Sequence, residues 1–342
     1  MSGPSVVVLD VGGTTLRSAC FDRVTRTLRG ISRVPTEGIG RYPLAPVTDL
    51  HERVVTQIVE VAGAQLRAHG AGAVSVAFAG PMTTTGAALA APTIFGAGGP
   101  PMPVGELVRA RLGVPVSVVN DLTAASWRYR DTIPAPFCLI TVSSGIGNKV
   151  VWGDRVLVDP DGHGGELGHW RVDPASDAPI CDCGQRGHLG ALASGRAMQA
   201  AARRAAAADP CAFATSVLAR VGPAEAIDNT ALVAAIRAGD AFALEVLRSG
   251  LRHLATAITG VFTAIGVRRY VLIGGFAQAV GEPFVDLLRE ALAAAGCFGL
   301  DRAAIDRMVL LGEPDDDHGL IGAGRLMDVQ LSGSTPLALA GH

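Results

Sequence analysis

Two short glycine-rich segments, each lying between apolar runs, constrain the possible fold more than any other feature of this 342-residue chain. In the first, the run Val6 to Asp10 precedes Gly12-Gly13-Thr14-Thr15, and a second apolar run follows. In the second, Phe137 to Val142 precedes Ser143-Ser144-Gly145-Ile146-Gly147, and Val150 to Trp152 then resumes an extended pattern. Each segment is typical of a glycine turn between two strands. Because Gly145 comes 133 positions after Gly12, the unit occurs twice at half-chain spacing, which predicts a duplicated two-domain α/β architecture.

Hydrophobic periodicity predicts further elements along the chain and, with them, the domain boundaries. We expect strands at Thr27 to Val34, Val74 to Phe78, Val114 to Val119, Tyr270 to Ile273 and Met308 to Leu311. We expect helices from Val47 to His69, from Leu122, over most of Leu189 to Val261, and from Pro283 to Ala295. The predicted organisation is a smaller domain over residues 1–122, a larger domain over 123–318, a closing helix over 319–328 that packs on the first domain, and a flexible tail over 329–342.

The composition excludes several classes of protein. The 29 basic residues nearly balance the 31 acidic ones, so we expect no polycationic surface and no nucleic-acid partner. No unbroken run of about 20 apolar residues is present, and the start does not resemble a signal peptide, so we expect no membrane association and a cytoplasmic location. Six cysteines at uneven spacings in a chain of this length argue against a disulfide framework.

The glycine turns are candidate phosphate-binding sites. Glycine lets backbone N–H groups approach a phosphate closely, and Asp10 adds a carboxylate suited to a hydrated Mg²⁺. For the first turn alone, a plain hairpin is an equally good interpretation. The second copy of the turn and a third small turn after a strand favour a nucleotide clamped between two domains. The predicted nucleotide-binding residues are Asp10, Gly12, Gly13, Thr14, Thr15, Ser144, Gly145, Gly147, Gly274 and Gly275.

Asp121 is a candidate general base. It follows a predicted strand, and ligands of open α/β sheets bind at such strand ends. A carboxylate there can take the proton of a substrate hydroxyl as it attacks a phosphoryl group. Taken alone, the residue is better explained as a helix N-cap, because Asp is favoured directly before a helix.

A cluster of imidazoles and thiols predicts a zinc site. His169 comes twelve residues before Cys181-Asp182-Cys183, and His188 follows closely. Two thiolates and two imidazoles form the tetrahedral ligand set that Zn²⁺ prefers, and four protein ligands leave no open position, so the metal would be structural. The alternative is a glycine-rich loop in which the cysteines are incidental.

Taken together and in this order, these motifs resemble those of the ROK family (repressors, open reading frames and sugar kinases). The first turn resembles the family's D-x-G-G-T phosphate loop, Asn120-Asp121 its N-D pair, Glu166 to His169 its E-x-G-H sugar motif, and Cys181 to Gly187 its C-x-C-G-x-x-G segment. The resemblance implies an actin/hexokinase-like (ribonuclease H-like) fold with an interdomain cleft that binds ATP and Mg²⁺. It implies that Asp121 is the catalytic base and that Asn120, Asp121, Glu166, His169 and Gly80 bind the acceptor, with His169 also a zinc ligand. We expect a homodimer.

The chain departs from the family pattern at four points, of which those at Gly190 and Thr93 lie on the substrate side. His188 replaces the third zinc cysteine, Gly190 stands where the family has a sugar-binding Glu, Thr93 stands where it usually has Asn, and Ser143-Ser144 replaces Gly-Thr. Because the base and the first phosphate loop are intact, we expect retained phosphoryl transfer to an altered acceptor. The prediction is phosphorylation of the primary hydroxyl of a hexose or a hexose-like polyol such as a C7 cyclitol. The alternatives are an ordinary glucokinase, a non-catalytic sugar sensor of the same family, and a zinc-dependent interaction module.

Overall fold

The structure, a computed structural model, describes residues 5–159 and 161–333, which form two compact units. Within these residues, the first unit contains 5–135, 151–159, 161–164 and 315–333, and the second contains 136–150 and 165–314. The division therefore lies after residue 135 and not after residue 122 as the sequence predicted. The reason is that the helix beginning at Asp121 packs within the first unit.

The elements alternate between strands and helices through both units. In chain order, those up to residue 129 are β1 (Ser5–Val11), β2 (Thr15–Asp22), β3 (Leu28–Pro35), α1 (Val47–His69), β4 (Val74–Phe78), α2 (Pro92–Phe95), α3 (Val104–Leu112), β5 (Val116–Asn120) and α4 (Asp121–Tyr129). Those that follow are β6 (Phe137–Val142), β7 (Ile146–Trp152), β8 (Arg155–Val156), α5 (Gly190–Ala193), α6 (Gly195–Ala208), α7 (Pro210–Thr215), α8 (Asn229–Arg237), α9 (Ala241–Ile265), β9 (Tyr270–Ile273), α10 (Gly275–Val280), α11 (Glu282–Ala295), α12 (Arg302–Asp306), β10 (Val309–Leu311) and α13 (His318–Leu331). Short 3-10 helices cover Leu167–His169, Val217–Arg220 and Ala224–Ala226.

The sheet of the first unit has the strand order β3-β2-β1-β4-β5. Strands β1 to β3 are antiparallel, whereas β4 and β5 run parallel to β1. Successive residues of β1 face opposite sides, as the two-residue period of a strand requires. Val7 and Leu9 join the core formed with α1 and α3, while Val6 and Val8 pack with α4 and α13. Helices therefore cover both faces of this sheet.

The closing helix α13 approaches its neighbours closely because it carries glycine at the contact points. A Cβ on Gly322 would lie 1.7 Å from the Ala124 carbonyl oxygen, and one on Gly324 would lie 2.3 Å from the Phe21 ring. The helix continues to Leu331, beyond the predicted end at residue 328, so the first residues of the predicted tail are helical. Residues 334–342 of that predicted tail lie outside the described residues.

The second sheet repeats the plan of the first, with the order β10-β9-β6-β7-β8. Here β9 and β10 run parallel to β6, and β7 and β8 form an antiparallel hairpin. Reading β6 as the counterpart of β1, both sheets place two parallel strands on one side and two hairpin strands on the other. This correspondence confirms the predicted duplicated α/β architecture. One detail differs, because β7 begins at Ile146, so Ile146 and Gly147 are strand residues and not part of the turn.

Among the described residues, no helix combines the length and the apolar character needed to cross a lipid bilayer.

Candidate active site and metal centre

The first glycine turn is held by its own backbone and by two neighbouring segments. The Gly12 N–H donates to the Thr15 carbonyl (3.0 Å), and the Thr36 hydroxyl donates to the Gly12 carbonyl (2.7 Å). A Cβ on Gly13 would lie 2.5 Å from the Thr93 carbonyl oxygen, so no side chain fits there. The residue that departs from the family pattern, Thr93, thus packs directly on the turn proposed to hold phosphate.

Asp10 lies near the end of β1 and forms an ion pair with Arg17, its partner in the β1–β2 register. The same guanidinium pairs with Asp316 (3.0 Å) and approaches Asp317 to 3.6 Å. A Cβ on Gly319 would lie 2.8 Å from the Asp10 carboxylate, so the first turn of α13 also adjoins it. Arg17 therefore contacts three carboxylates beside the glycine turn, and Arg33 adds a second ion pair to Asp316 (3.0 Å).

Asn120 and Asp121 form the junction between β5 and α4. The Asn120 side-chain oxygen accepts hydrogen bonds from the N–H groups of Leu122 and Thr123, both at 3.1 Å, so the helix N-cap is Asn120. The Asn120 amide donates to the Asp121 carboxylate (2.8 Å) and to the Gly80 carbonyl (2.9 Å). Asp121 also accepts from the Leu122 N–H (2.8 Å). Capping of α4 therefore does not account for Asp121, and Gly80 contributes its backbone carbonyl to fixing Asn120.

The glycine turn and Asp121 lie at the same edge of the first sheet. The parallel register pairs Val11 with Phe78 and Phe78 with Asn120, so the carboxyl ends of β1, β4 and β5 are level. Neighbouring strands are about 4.8 Å apart, which places β5 roughly 10 Å from β1. Ligands of open α/β sheets bind outside this edge, where both the glycine turn and Asp121 lie.

In the second unit, the turn after β6 and the turn after β9 are neighbours. The Ser143 N–H donates to the Gly145 carbonyl (3.0 Å), and the Gly195 N–H at the start of α6 donates to the Ser143 carbonyl (2.7 Å). Gly274 has a φ of +98°, and a Cβ there would lie 2.6 Å from the Thr141 hydroxyl. A Cβ on Gly275 would lie 3.9 Å from the Ser143 hydroxyl, whereas one on Gly145 would meet nothing within 4 Å. The two turns therefore lie close together, and the space beside Gly145 is open.

The four predicted metal ligands also come together. The candidate ligand atoms of His169, Cys181, Cys183 and His188 all lie within 4.8 Å of one another. The Cys181 Sγ is 3.7 Å from His169 Nδ1, and the Cys183 Sγ is 3.3 Å from His188 Nδ1. In a tetrahedral zinc site with ordinary bond lengths, sulfur and nitrogen ligands are about 3.6 Å apart. The geometry of the cluster therefore fits Zn²⁺.

The protonation of this cluster is compatible with metal binding. Burial, reinforced by the neighbouring His169 and Arg171, lowers the pKa of His188 and so favours the neutral imidazole that a metal requires. Burial also raises the pKa of Cys181, so a bound cation would have to displace the thiol proton. Because His169 faces Cys181 through Nδ1, its other ring nitrogen, Nε2, is left for a second partner.

The segment that carries Glu166 packs tightly on β7 and on position 190. A Cβ on Gly168 would lie 2.1 Å from the Ile146 carbonyl oxygen, so the backbone of the segment lies directly against the strand. A Cβ on Gly190 would lie 3.2 Å from the Gly168 carbonyl oxygen. Position 190 is therefore adjacent to the predicted sugar motif, which contains Glu166 and His169, as the resemblance implies.

The metal loop is connected to the second glycine turn by Arg196, near the start of α6. Its guanidinium donates to the Ser144 carbonyl (2.8 Å) and forms an ion pair with Asp182, between the two cysteines. Arg196 and Arg17 border the candidate site, and sequence reasoning missed both. Only Arg17 had a usable signal, because the hairpin register places it opposite Asp10.

Comparison with known proteins identifies the family. A model of the ROK family matches residues 6–329. The chain belongs to the ROK family. A C(7)-cyclitol 7-kinase of Streptomyces hygroscopicus subsp. jinggangensis is 52% identical over 333 residues, which cover 95% of this chain and 94% of that protein.

Solved structures of ROK proteins share the fold. A ROK family glucokinase from Streptomyces griseus, in complex with glucose and AMPPNP, is 26% identical with a TM-score of 0.72, covering 94% of this chain and 98% of that one. A ROK hexokinase from Thermus thermophilus is 29% identical with a TM-score of 0.72, covering 96% and 99%. The actin/hexokinase-like fold implied by the motifs is thereby confirmed.

Proposed function

We propose that this chain is an ATP-dependent kinase that phosphorylates the primary hydroxyl of a C7 cyclitol. The extensive similarity to a C(7)-cyclitol 7-kinase supports this acceptor, and the ATP analogue in the related glucokinase supports the donor. The observation that supports the chemistry is the junction at Asn120, whose side chain caps α4 and also donates to the Asp121 carboxylate, fixing that carboxylate at the edge of the sheet where an acceptor would bind.

In the proposed reaction, Asp121 accepts the proton of the acceptor hydroxyl as its oxygen attacks the γ-phosphorus of ATP. The new bond joins that oxygen to phosphorus, the bond between phosphorus and the β–γ bridging oxygen breaks, and ADP leaves with the electron pair. The two hydrogen bonds to Asp121 fix its orientation, and the start of α4 favours its negative charge. General base catalysis contributes about 10²–10⁴-fold to the rate.

The other groups of the site orient the two substrates. The backbone of the turns at Gly12-Gly13 and Ser144-Gly145 would bind the phosphates, and Asp10 would hold a hydrated Mg²⁺, which neutralises phosphate charge. Asn120, Glu166 and His169 would bind the remaining acceptor hydroxyls. A zinc ion on His169, Cys181, Cys183 and His188 would be structural and would fix the His169 ring. The predicted homodimer stays a prediction that sedimentation equilibrium can check.

The experiment is an ADP-release screen over hexoses, N-acetylhexosamines and C7 cyclitols that carry a free CH₂OH group, with Asp121→Asn as the matched variant. We expect a cyclitol to have the highest kcat/KM, and the variant to lose about 10²-fold or more in kcat with similar substrate affinity. Glucose leading every other acceptor tenfold would make the protein a glucokinase. Acceptor binding without turnover by the wild type would make it a sugar sensor.

A further inference from the structure

Two adjacent buried polar residues of β7, Asn148 and Lys149, take no part in the mechanism proposed above. Lys149 is the only lysine in the sequence and is 3% exposed, and Asn148 is 2% exposed. Lysine is among the residue types that are least often buried, because its ammonium group is costly to remove from water. Both residues lie against the segment that carries Glu166.

Lys149 packs on the residue before Glu166. Gly165 has a φ of +75°, in the left-handed region that favours glycine. A Cβ there would lie 2.7 Å from the Lys149 ammonium nitrogen and 2.5 Å from the Asn148 carbonyl oxygen. The lysine side chain therefore occupies the space that a side chain at position 165 would fill.

Asn148 holds the residue after Glu166. Its side-chain oxygen accepts a hydrogen bond from the Leu167 N–H (3.0 Å), and its backbone nitrogen lies 3.4 Å from the Gly165 carbonyl oxygen. Glu166 is thus held on both sides by two consecutive residues of one strand. A carboxylate between two fixed backbone points has less freedom than one on an open loop, and an acceptor that binds it loses less entropy.

The orientation of the Asn148 amide has its own support. Its NH₂ group donates to the Cys138 sulfur (3.7 Å), which lies 3.7 Å from the Leu139 carbonyl. Burial raises the pKa of Cys138 to about 12, so the sulfur keeps its proton and donates a hydrogen bond to the Leu139 carbonyl. The chain of contacts directs the Asn148 oxygen toward Leu167.

We propose that Asn148 and Lys149 are positioning residues that place the Glu166 carboxylate for the acceptor. The proposal rests on the acceptor role of Glu166 in the proposed function. It predicts that these buried residues act on acceptor binding through Glu166, and that their effect on ATP is small.

The test measures kcat, both KM values and Tm for Lys149→Met and Asn148→Ser, with the cyclitol that the screen identifies. We expect either variant to raise the acceptor KM about tenfold while the ATP KM stays within about twofold. Val150→Ala, a core change at the next position of the same strand, is the control and should lower Tm without changing the acceptor KM. If Lys149→Met does not fold, Asn148→Ser carries the same test.

A double-variant cycle separates positioning from general stabilisation. In the Glu166→Gln background, Lys149→Met or Asn148→Ser should change the acceptor KM less than about twofold, because the carboxylate they position is gone. An undiminished effect in that background, or an acceptor KM equal to that of the wild type in the single variants, overturns the proposal. A wild type without any acceptor activity would instead refute the proposed function, so the two failures are distinguishable.

Discussion

Position 190 offers a direct test of what sets the acceptor preference. Gly190 begins α5, and a Cβ there would lie 3.2 Å from the Gly168 carbonyl oxygen, within the segment proposed to bind the acceptor. A contact at this distance needs a shift of only a few tenths of an ångström. We therefore expect Gly190→Glu to fold and to place a carboxylate beside the sugar motif.

The magnitude follows from the hydrogen bonds that the new carboxylate accepts. In a glucose-specific member of the family, a Glu at this position would bind hydroxyls near the anomeric carbon. A hydrogen bond to a charged group contributes about 1.5–3 kcal/mol, which corresponds to about a ten- to hundredfold change in discrimination. We expect Gly190→Glu to raise the kcat/KM of glucose relative to that of the cyclitol by this factor.

The assay is a direct competition between glucose and the cyclitol, with both phosphorylated products measured by ³¹P NMR. Gly190→Gln has the same length without the charge, and Gly190→Ala adds only the Cβ contact with Gly168. We expect Gly190→Gln to give a smaller shift and Gly190→Ala almost none. An unchanged ratio for Gly190→Glu, or an equal shift for Gly190→Ala, would refute the argument from the missing carboxylate.

Three further predictions concern the metal, the pH dependence of stability and the packing of the sugar motif. Metal analysis should find about one zinc per chain in the wild type and none in Cys183→Ser. The control is Cys211→Ser, which changes an exposed cysteine outside the cluster and should keep the zinc. A metal-free, fully active wild type would contradict this prediction. Burial, reinforced by Arg128, lowers the pKa of His318 to about 4. Between about pH 6.5 and pH 4 the unfolded chain binds a proton at His318 and the folded chain does not. The free energy of unfolding is therefore highest above about pH 6.5, and it falls by up to about 3 kcal/mol as the pH is lowered to 4. Urea titrations should show that slope in the wild type and a weaker one in His318→Asn; equal slopes would exclude His318 as the cause. Gly168→Ala should lower Tm and raise the acceptor KM, since its Cβ would lie 2.1 Å from a carbonyl oxygen; a wild-type acceptor KM would show that the segment can move freely.

The sequence predicts well those features that depend on local periodicity. The helix Val47–His69 and the strands Val74–Phe78 and Phe137–Val142 have the predicted bounds. The helix buries one face with a period of 3.6, and the two strands are short apolar runs that are buried almost throughout. The predicted start of β7, Val150, was wrong by four residues, because Ile146 and Gly147 were assigned to the preceding glycine turn although the strand begins at Ile146. Ile146 and Gly147 belong to the strand although they directly follow the turn residues.

Features that depend on distant parts of the chain could not be predicted in this way. The first unit takes residues 315–333 from the far end of the sequence, and two carboxylate partners of Arg17, Asp316 and Asp317, come from that segment. The burial of Lys149 has no local signal, because a single lysine in an apolar run is as compatible with a surface strand as with the core. Its role becomes visible only where the Glu166 segment packs on β7.

At the end of β5, Asn120 performs a structural function that a lone Asp at this junction would have to perform itself. The side chain at the N-cap position is turned toward the N–H groups of the first helical turn, so a carboxylate at that position would face the end of the helix. In this chain Asn120 caps α4 through its side-chain oxygen and uses its NH₂ group to hold Asp121. The capping function and the acid–base function are thus divided between two neighbours, and the neutral one takes the structural part. For this reason the alternative that best explained Asp121 in isolation loses its support once its neighbour is included.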